Sequence, residues 1–205
     1  MTLDRFRPLA NRGLGPFVRL ADAVGLSPDG VSVVAFGCAV AAGVAFGLDS
    51  PAAAPWLYVL GAALVFANGW LDLVDGALAR EQGVASSGGD MLDHVLDRYA
   101  DIALLVGLAA GIDSYGLGLA AVTGVLMTSY MGTQIQAVGV GREYGGLLGR
   151  ADRLVLVGVV GVVAAAVPGA LVAGYGVVAL LLVLFAVVGH VTALQRFRGA
   201  WSDLR

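Results

Sequence analysis

Apolar residues fill six runs along the chain, at 31–48, 54–76, 93–111, 116–138, 154–173 and 175–196. Each comes close to the roughly 20 residues an α-helix needs to cross a bilayer. The last two are parted only by a short turn around Gly174. The pattern predicts an all-α membrane protein of six transmembrane helices, preceded by an N-terminal amphipathic juxtamembrane helix. In residues 1–25 arginines alternate with apolar residues instead of forming a run. Arg5, Arg12 and Arg19 stand seven apart, so a helix here would be basic on one side and carry Phe6, Leu9 and Phe17 on the other. Such a helix lies in the interfacial plane, and Gly13, Gly15 and Pro16 are expected to break it once. The segment has no long apolar core with a cleavage site, which excludes a signal peptide. Residues 1–25 thus form an interfacial segment and residues 26–205 a single six-helix domain.

Composition agrees with a membrane location. The chain is 59% hydrophobic and 13% charged, with a mean hydropathy of +0.86, outside the range of soluble domains. The single Cys38 lies in an apolar run, which excludes a disulfide framework and a zinc site. All 12 basic residues are Arg, and in the six-helix topology every one falls on the same side. Only Asp49 and Asp113 occupy the opposite loops. The positive-inside rule then sets both termini in the cytoplasm of a multi-pass cell-membrane protein.

Against this background the acidic residues stand out. Asp72 and Asp75 are three apart and Asp93 and Asp97 four apart, so each pair lies on one helical face near the cytoplasmic end of the bundle. Carboxylates are costly at a membrane boundary and by default mark function. Four of them together repel unless cations neutralise them, and hard divalent ions favour all-oxygen sites. Cation transport through these aspartates is the rival class, but transport sites favour the membrane midplane and this cluster is at one end.

The full pattern reads D-x2-D-G-x2-A-R-x8-G-x3-D-x3-D, with Asp72, Asp75, Gly76, Ala79, Arg80, Gly89, Asp93 and Asp97 at its fixed positions. It resembles the signature of the CDP-alcohol phosphatidyltransferase family, membrane enzymes of phospholipid synthesis. The resemblance implies that Asp72, Asp75, Asp93 and Asp97 ligate two Mg²⁺ or Mn²⁺ ions, with Asp97 also taking the proton from the attacking hydroxyl. It implies a CDP-lipid donor, from which a phosphatidyl or archaetidyl group passes to an alcohol with release of CMP. Gly76 and Ala79 would leave room for the nucleotide and Arg80 would pair with its diphosphate. Upstream, Gly25-Leu-Ser27-Pro28-Asp29-Gly30-Val31-Ser32 resembles a second family segment, G-L-T-P-[ND]-x-[VI]-T. It makes Asp29 and Ser32 candidate cytidine contacts, and Ser86 stands where members place a small hydroxyl residue near the nucleotide. The same Ser-Pro-Asp sequence also opens a helix.

The acceptor is less sharply written. Members that use inositol phosphate carry S-Y-x-K-x-R-x-E in the fourth membrane helix, whereas this chain has Ser129-Tyr130-Met131-Gly132-Thr133-Gln134-Ile135-Gln136. Arg150-Ala-Asp152-Arg153 matches the later R-x-E-R segment, and Arg196 matches a basic residue after helix 6. These three arginines are candidate ligands for an acceptor phosphate, on inositol phosphate or glycerol phosphate. A CDP-amino-alcohol phosphotransferase acting on diacylglycerol shares the motif and is the alternative within the family. Membrane lipids and, from the resemblance, a second copy in a homodimer are the other expected partners; none of these features calls for nucleic acid. Asn68 and Asp101 lie one turn from the motif, and Asp101 should be paired or hydrated at that depth.

Overall fold

The computed structural model describes residues 7–140 and 148–205. Arg5 and Arg142, with the side chains of Arg7 and Arg12, lie outside the described residues. Seven helices make up the described chain: α1 (Arg7–Ala23), α2 (Pro28–Gly47), α3 (Pro55–Gln82), α4 (Ser87–Ala110), α5 (Tyr115–Ala137), α6 (Arg150–Ala166) and α7 (Val177–Asp203). Among them α2, α3 and α7 are long and apolar enough to cross a membrane by length and composition.

The expected break in the N-terminal helix does not occur: α1 runs unbroken through Pro16. Leu14, Val18 and Ala21 recur along one face and pack on Val74 and Leu78 of α3. Gly15 and Pro16 are exposed, so the proline ring points away from this contact. Gln82 also donates to Asp22 Oδ1 at 2.9 Å, tying the end of α3 to that of α1.

The helices around the acidic motif extend past the expected spans. Helix α3 continues to Gln82, where Gly83 adopts a left-handed conformation (φ 66°) and its N–H turns back to Ala79 and Arg80 carbonyls. Helix α4 starts six residues before 93, because Ser86 caps it by accepting from Gly89 N–H at 3.1 Å. Both halves of the motif therefore sit on regular helices. At the other end of the bundle, α6 stops at Ala166, and ten residues, not a short turn, separate it from α7. Pro168 disfavours helix at Val167, whose backbone leaves the helical region (φ −134°, ψ 76°). A bridge between Val172 and Tyr175 closes this connection.

Small residues set how close the helices come. A Cβ on Gly107 of α4 would run into the Gly43 backbone of α2, and one on Gly43 would meet the Ala103 carbonyl. Gly124 of α5 and Gly189 of α7 make a similar contact. Close backbone approach of this kind is the usual basis of helix packing in lipid. The main core, including Phe46, Tyr58, Leu104, Leu108, Leu182 and Phe185, fills the space between these crossings. The result fixes α2, α3, α4 and α6 around one small cavity.

Candidate active site

Four helices supply the cavity wall: Ser32 from α2, Asn68, Asp72 and Asp75 from α3, Asp93 and Asp97 from α4, and Arg150 from α6. Oxygens of Asp72, Asp75 and Asp93 lie within 4.8 Å of one another. Ligands of one Mg²⁺ at about 2.1 Å are at most about 4.2 Å apart, so small side-chain shifts bring these three into range. The donor set is all carboxylate oxygen and suits Mg²⁺ or Mn²⁺. Asp75 is buried, and the Ser32 hydroxyl donates to its Oδ2 at 2.6 Å. Asn68 is also buried; its amide donates to the Ala35 carbonyl at 2.9 Å, which locks α3 to α2 one turn before Asp72.

Asp97 lines the same cavity but stands outside that three-carboxylate group. Its Oδ1 is 2.6 Å from Arg150 Nη2, and its Oδ2 is 3.5 Å from Arg98 Nη2. Arg150 Nη1 reaches Asp72 Oδ1, also at 2.6 Å. Arg98 in turn contacts Asp101 at 3.8 Å and donates to Ser129 Oγ. Asp101 is paired, as its depth requires, by Arg153 at 2.8 Å. A run of alternating charge, Arg150–Asp97–Arg98–Asp101–Arg153, thus joins α4 to α6. Arg98 is not among the candidates read from the sequence. Its position next to Asp97, with Asp101 one turn on, was the available signal.

The other candidates separate into two neighbourhoods. Near the start of α4, Asp29, Ser86 and Gly89 meet: a Cβ on Gly89 would lie 3.3 Å from Asp29 Oδ1 and 3.5 Å from Ser86 Oγ. Ser86 uses its oxygen as the α4 cap, and Ser32 directs its proton to Asp75, so neither hydroxyl is idle. Gly76, Ala79 and Arg80 occupy the last turns of α3, and Arg80 is exposed. Among the described residues a Cβ on Gly76 would touch only the Arg80 guanidinium, at 3.4 Å, so no other described side chain crowds that face.

The three late arginines do not share one address. Arg150 is engaged by the aspartates. Arg153 lines a second small cavity with Thr128, Leu148 and Thr192, where the Thr192 hydroxyl is buried with no partner. Arg196 donates to the Thr128 carbonyl at 2.6 Å and lies 3.1 Å from where a Gly132 Cβ would be. Arg153 and Arg196 therefore approach the same turn of α5, while Arg150 is turned toward the acidic cavity.

The sequence pattern of the CDP-alcohol phosphatidyltransferases matches residues 25–197, a stretch that contains the whole acidic motif and all three late arginines. The chain belongs to this family. Archaetidylinositol phosphate synthase of Methanothermobacter thermautotrophicus is 31% identical over 99% of the chain and 96% of its own length. Two crystal structures of Mycobacterium tuberculosis phosphatidylinositol phosphate synthase superpose with a TM-score of 0.76 at 27% identity. One, with CDP-DAG bound, covers 93% of this chain and 94% of its own. The other, in complex with manganese and citrate, covers 92% and 88%. The protein is a CDP-alcohol phosphatidyltransferase, a membrane-integral transferase of phospholipid biosynthesis whose Asp72, Asp75 and Asp93 are grouped so that they could hold a divalent metal ion.

Proposed function

We propose that this phosphatidyltransferase moves the phosphatidyl or archaetidyl group of a CDP-lipid onto the hydroxyl of a polyol phosphate, with inositol phosphate the first candidate. The observation that carries the reading is the three-carboxylate group of Asp72, Asp75 and Asp93 beside Asp97, inside the family-matched region. The relatives' names, archaetidylinositol and phosphatidylinositol phosphate synthase, favour inositol phosphate, while Gly132, Gln134 and Gln136 keep glycerol phosphate in play.

Asp72, Asp75, Asp93 and Asp97 would hold two Mg²⁺ or Mn²⁺ ions. Bound there, such ions would neutralise a diphosphate and stabilise charge on the attacked phosphorus. Ser32 keeps the Asp75 carboxylate oriented. Arg80, exposed at the end of α3, pairs with the diphosphate, and the open face of Gly76 and small Ala79 lets the nucleotide pass. Asp29, in the first turn of α2, and Ser86, the cap of α4, face its cytidine end. The acceptor hydroxyl gives its proton to Asp97 as its oxygen bonds to the lipid-side phosphorus, and the bond from that phosphorus to CMP breaks. An aspartate is a weak base for an alcohol, so in-line positioning supplies much of the help. Arg150, Arg153 and Arg196 bind the acceptor phosphate. Arg153 and Arg196 at one turn of α5, with Arg150 at the neighbouring acidic cavity, suit an anionic acceptor better than the neutral diacylglycerol of an amino-alcohol transferase.

Topologically, residues 26–205 form one domain of six transmembrane helices, with α5, the shorter α6 and the polar-ended α4 completing the set begun by α2, α3 and α7. Helix α1 lies along the cytoplasmic interface, where Phe17 stacks edge-on with Trp70 at 5.3 Å. Trp56 and Trp201, both well exposed, anchor at the head-group level. The active site and both termini face the cytoplasm, and the protein works as a homodimer. A CMP-release assay with CDP-lipid and a panel of inositol phosphate, glycerol phosphate, serine and free inositol tests the reaction. Release with a phosphorylated polyol alone is expected; release with serine or free inositol alone overturns the acceptor class.

A further inference from the structure

One guanidinium joins two of the four motif aspartates. Arg150 places Nη1 at 2.6 Å from Asp72 Oδ1 on α3 and Nη2 at 2.6 Å from Asp97 Oδ1 on α4. Its Nε is buried with no acceptor, so this position does not satisfy all the donors of the group. Asp97 meanwhile stays outside the oxygen cluster formed by Asp72, Asp75 and Asp93.

Charge decides what else the cluster tolerates. Four carboxylates are balanced by two divalent ions, and a guanidinium bonded to the same oxygens is then a surplus cation a few ångströms from both. The backbone of α6 has little room to yield. Asp152 accepts from Gly149 N–H at 2.9 Å at its start, and Arg153 is paired with Asp101 one turn on. The Arg150 side chain, long and flexible, is the part able to move.

We propose that Arg150 and the divalent ions are alternative partners of Asp72 and Asp97: metal loading turns the guanidinium out of the carboxylate cluster and frees it for the acceptor phosphate. This rests on the metal and acceptor reading above and adds an order to it. Metal loading comes first, and tight capture of the acceptor phosphate follows. Coupling between two sites is reciprocal, so the same exchange makes Arg150 a brake on metal affinity.

The test uses the full-length protein in detergent micelles. Phenylglyoxal, which modifies free guanidinium groups, is applied with a chelator, with Mn²⁺, and with Mn²⁺ plus inorganic phosphate, and modification at Arg150 is read by peptide mapping. Modification should rise about fivefold or more with Mn²⁺ and fall again with phosphate. In parallel, Mn²⁺ affinity is read from the electron-spin resonance of the free ion. Arg150→Gln should bind Mn²⁺ about fivefold tighter or more, and Arg150→Lys should lie between it and the unsubstituted protein. Unchanged or reduced modification on Mn²⁺ binding overturns the exchange and leaves the metal site standing. If Asp93→Asn binds Mn²⁺ as well as the unsubstituted protein, the metal reading fails and the exchange with it. Should Arg150→Gln not fold, the labelling of the unsubstituted protein decides alone.

Discussion

Ser32 Oγ donates to Asp75 Oδ2 at 2.6 Å, linking the first turns of α2 to the acidic motif 43 residues away. The same hydroxyl lies 3.2 Å from the Pro28 carbonyl, so it is held from its own helix while it orients a buried carboxylate. Two separate family-like segments of the sequence are therefore one structural unit.

That link predicts the behaviour of Ser32→Ala. A hydrogen bond to a charged group is worth about 1.5–3 kcal/mol, which converts to roughly 10- to 100-fold in an equilibrium. Mn²⁺ affinity should fall by that order, as is usual when an outer partner of a metal ligand is removed. Ser32→Thr should recover most of the loss. Titration of Mn²⁺ by spin resonance checks it; unaltered affinity in Ser32→Ala would separate Ser32 from the metal site.

The aspartates should divide by role. Asp72→Asn, Asp75→Asn and Asp93→Asn are each expected to abolish turnover nearly completely and to weaken Mn²⁺ binding, and excess chelator should stop the unsubstituted enzyme. Asp97→Asn should still bind CDP-lipid while CMP release collapses, because the lost function is proton removal together with one metal contact. Arg80→Ala should instead weaken donor binding. Donor binding by calorimetry beside single-turnover CMP release tells these apart, and normal turnover in Asp97→Asn would remove it from the base position.

Much of this architecture is written in the chain, and its gaps have physical causes. The helical spacing of Asp72, Asp75, Asp93 and Asp97 places them on facing surfaces because that period depends only on regular helix, which both segments adopt. Hydropathy, by contrast, ends the expected spans where polar residues begin, at 76 and 93, although α3 and α4 run on past these positions to caps at Gly83 and Ser86. Pro16 misled in the other direction, since packing of Leu14 and Val18 on α3 outweighs a local break. The partner of Asp97 was not legible at all. Arg150 is distant in sequence, and an arginine that matches a phosphate-binding segment gives no sign that its guanidinium also reaches two aspartates.

The glycine crossings carry a stability prediction. Gly107→Leu would drive a side chain into the Gly43 backbone, which cannot rotate away as a side chain would. Overpacking typically costs about 1–3 kcal/mol, and contact with main chain belongs at the upper end. The thermal midpoint in detergent should drop, and activity should fall with it, because this crossing sets the distance between α4 and α2. Gly37→Ala, where nothing lies within 4 Å of an added Cβ, is the control and should leave the midpoint unchanged. An unshifted midpoint for Gly107→Leu would mean that the α2–α4 contact is not as close as described.

Arg153 and Arg196 provide the last test, of the acceptor. Both guanidiniums are buried and approach the Thr128 turn of α5, Arg196 through the Thr128 carbonyl and Arg153 across the cavity it shares with Thr128. Arg153 also balances Asp101, and removing one partner of a buried pair costs about 3–5 kcal/mol of stability. Arg153→Ala is therefore expected to lower the thermal midpoint as well as activity, so it reports on acceptor binding poorly by itself. Arg196→Gln is the second probe: the contact it makes with α5 is to a neutral carbonyl, and glutamine still offers that carbonyl an N–H. It should raise the acceptor KM by the equivalent of about 1.5–3 kcal/mol, roughly 10- to 100-fold, and leave the donor KM nearly unchanged. Steady-state CMP release at saturating CDP-lipid, with inositol phosphate varied, measures the first quantity, and the reverse titration measures the second. Equal rises in both KM values would assign Arg196 to holding α7 against α5 and not to the acceptor phosphate.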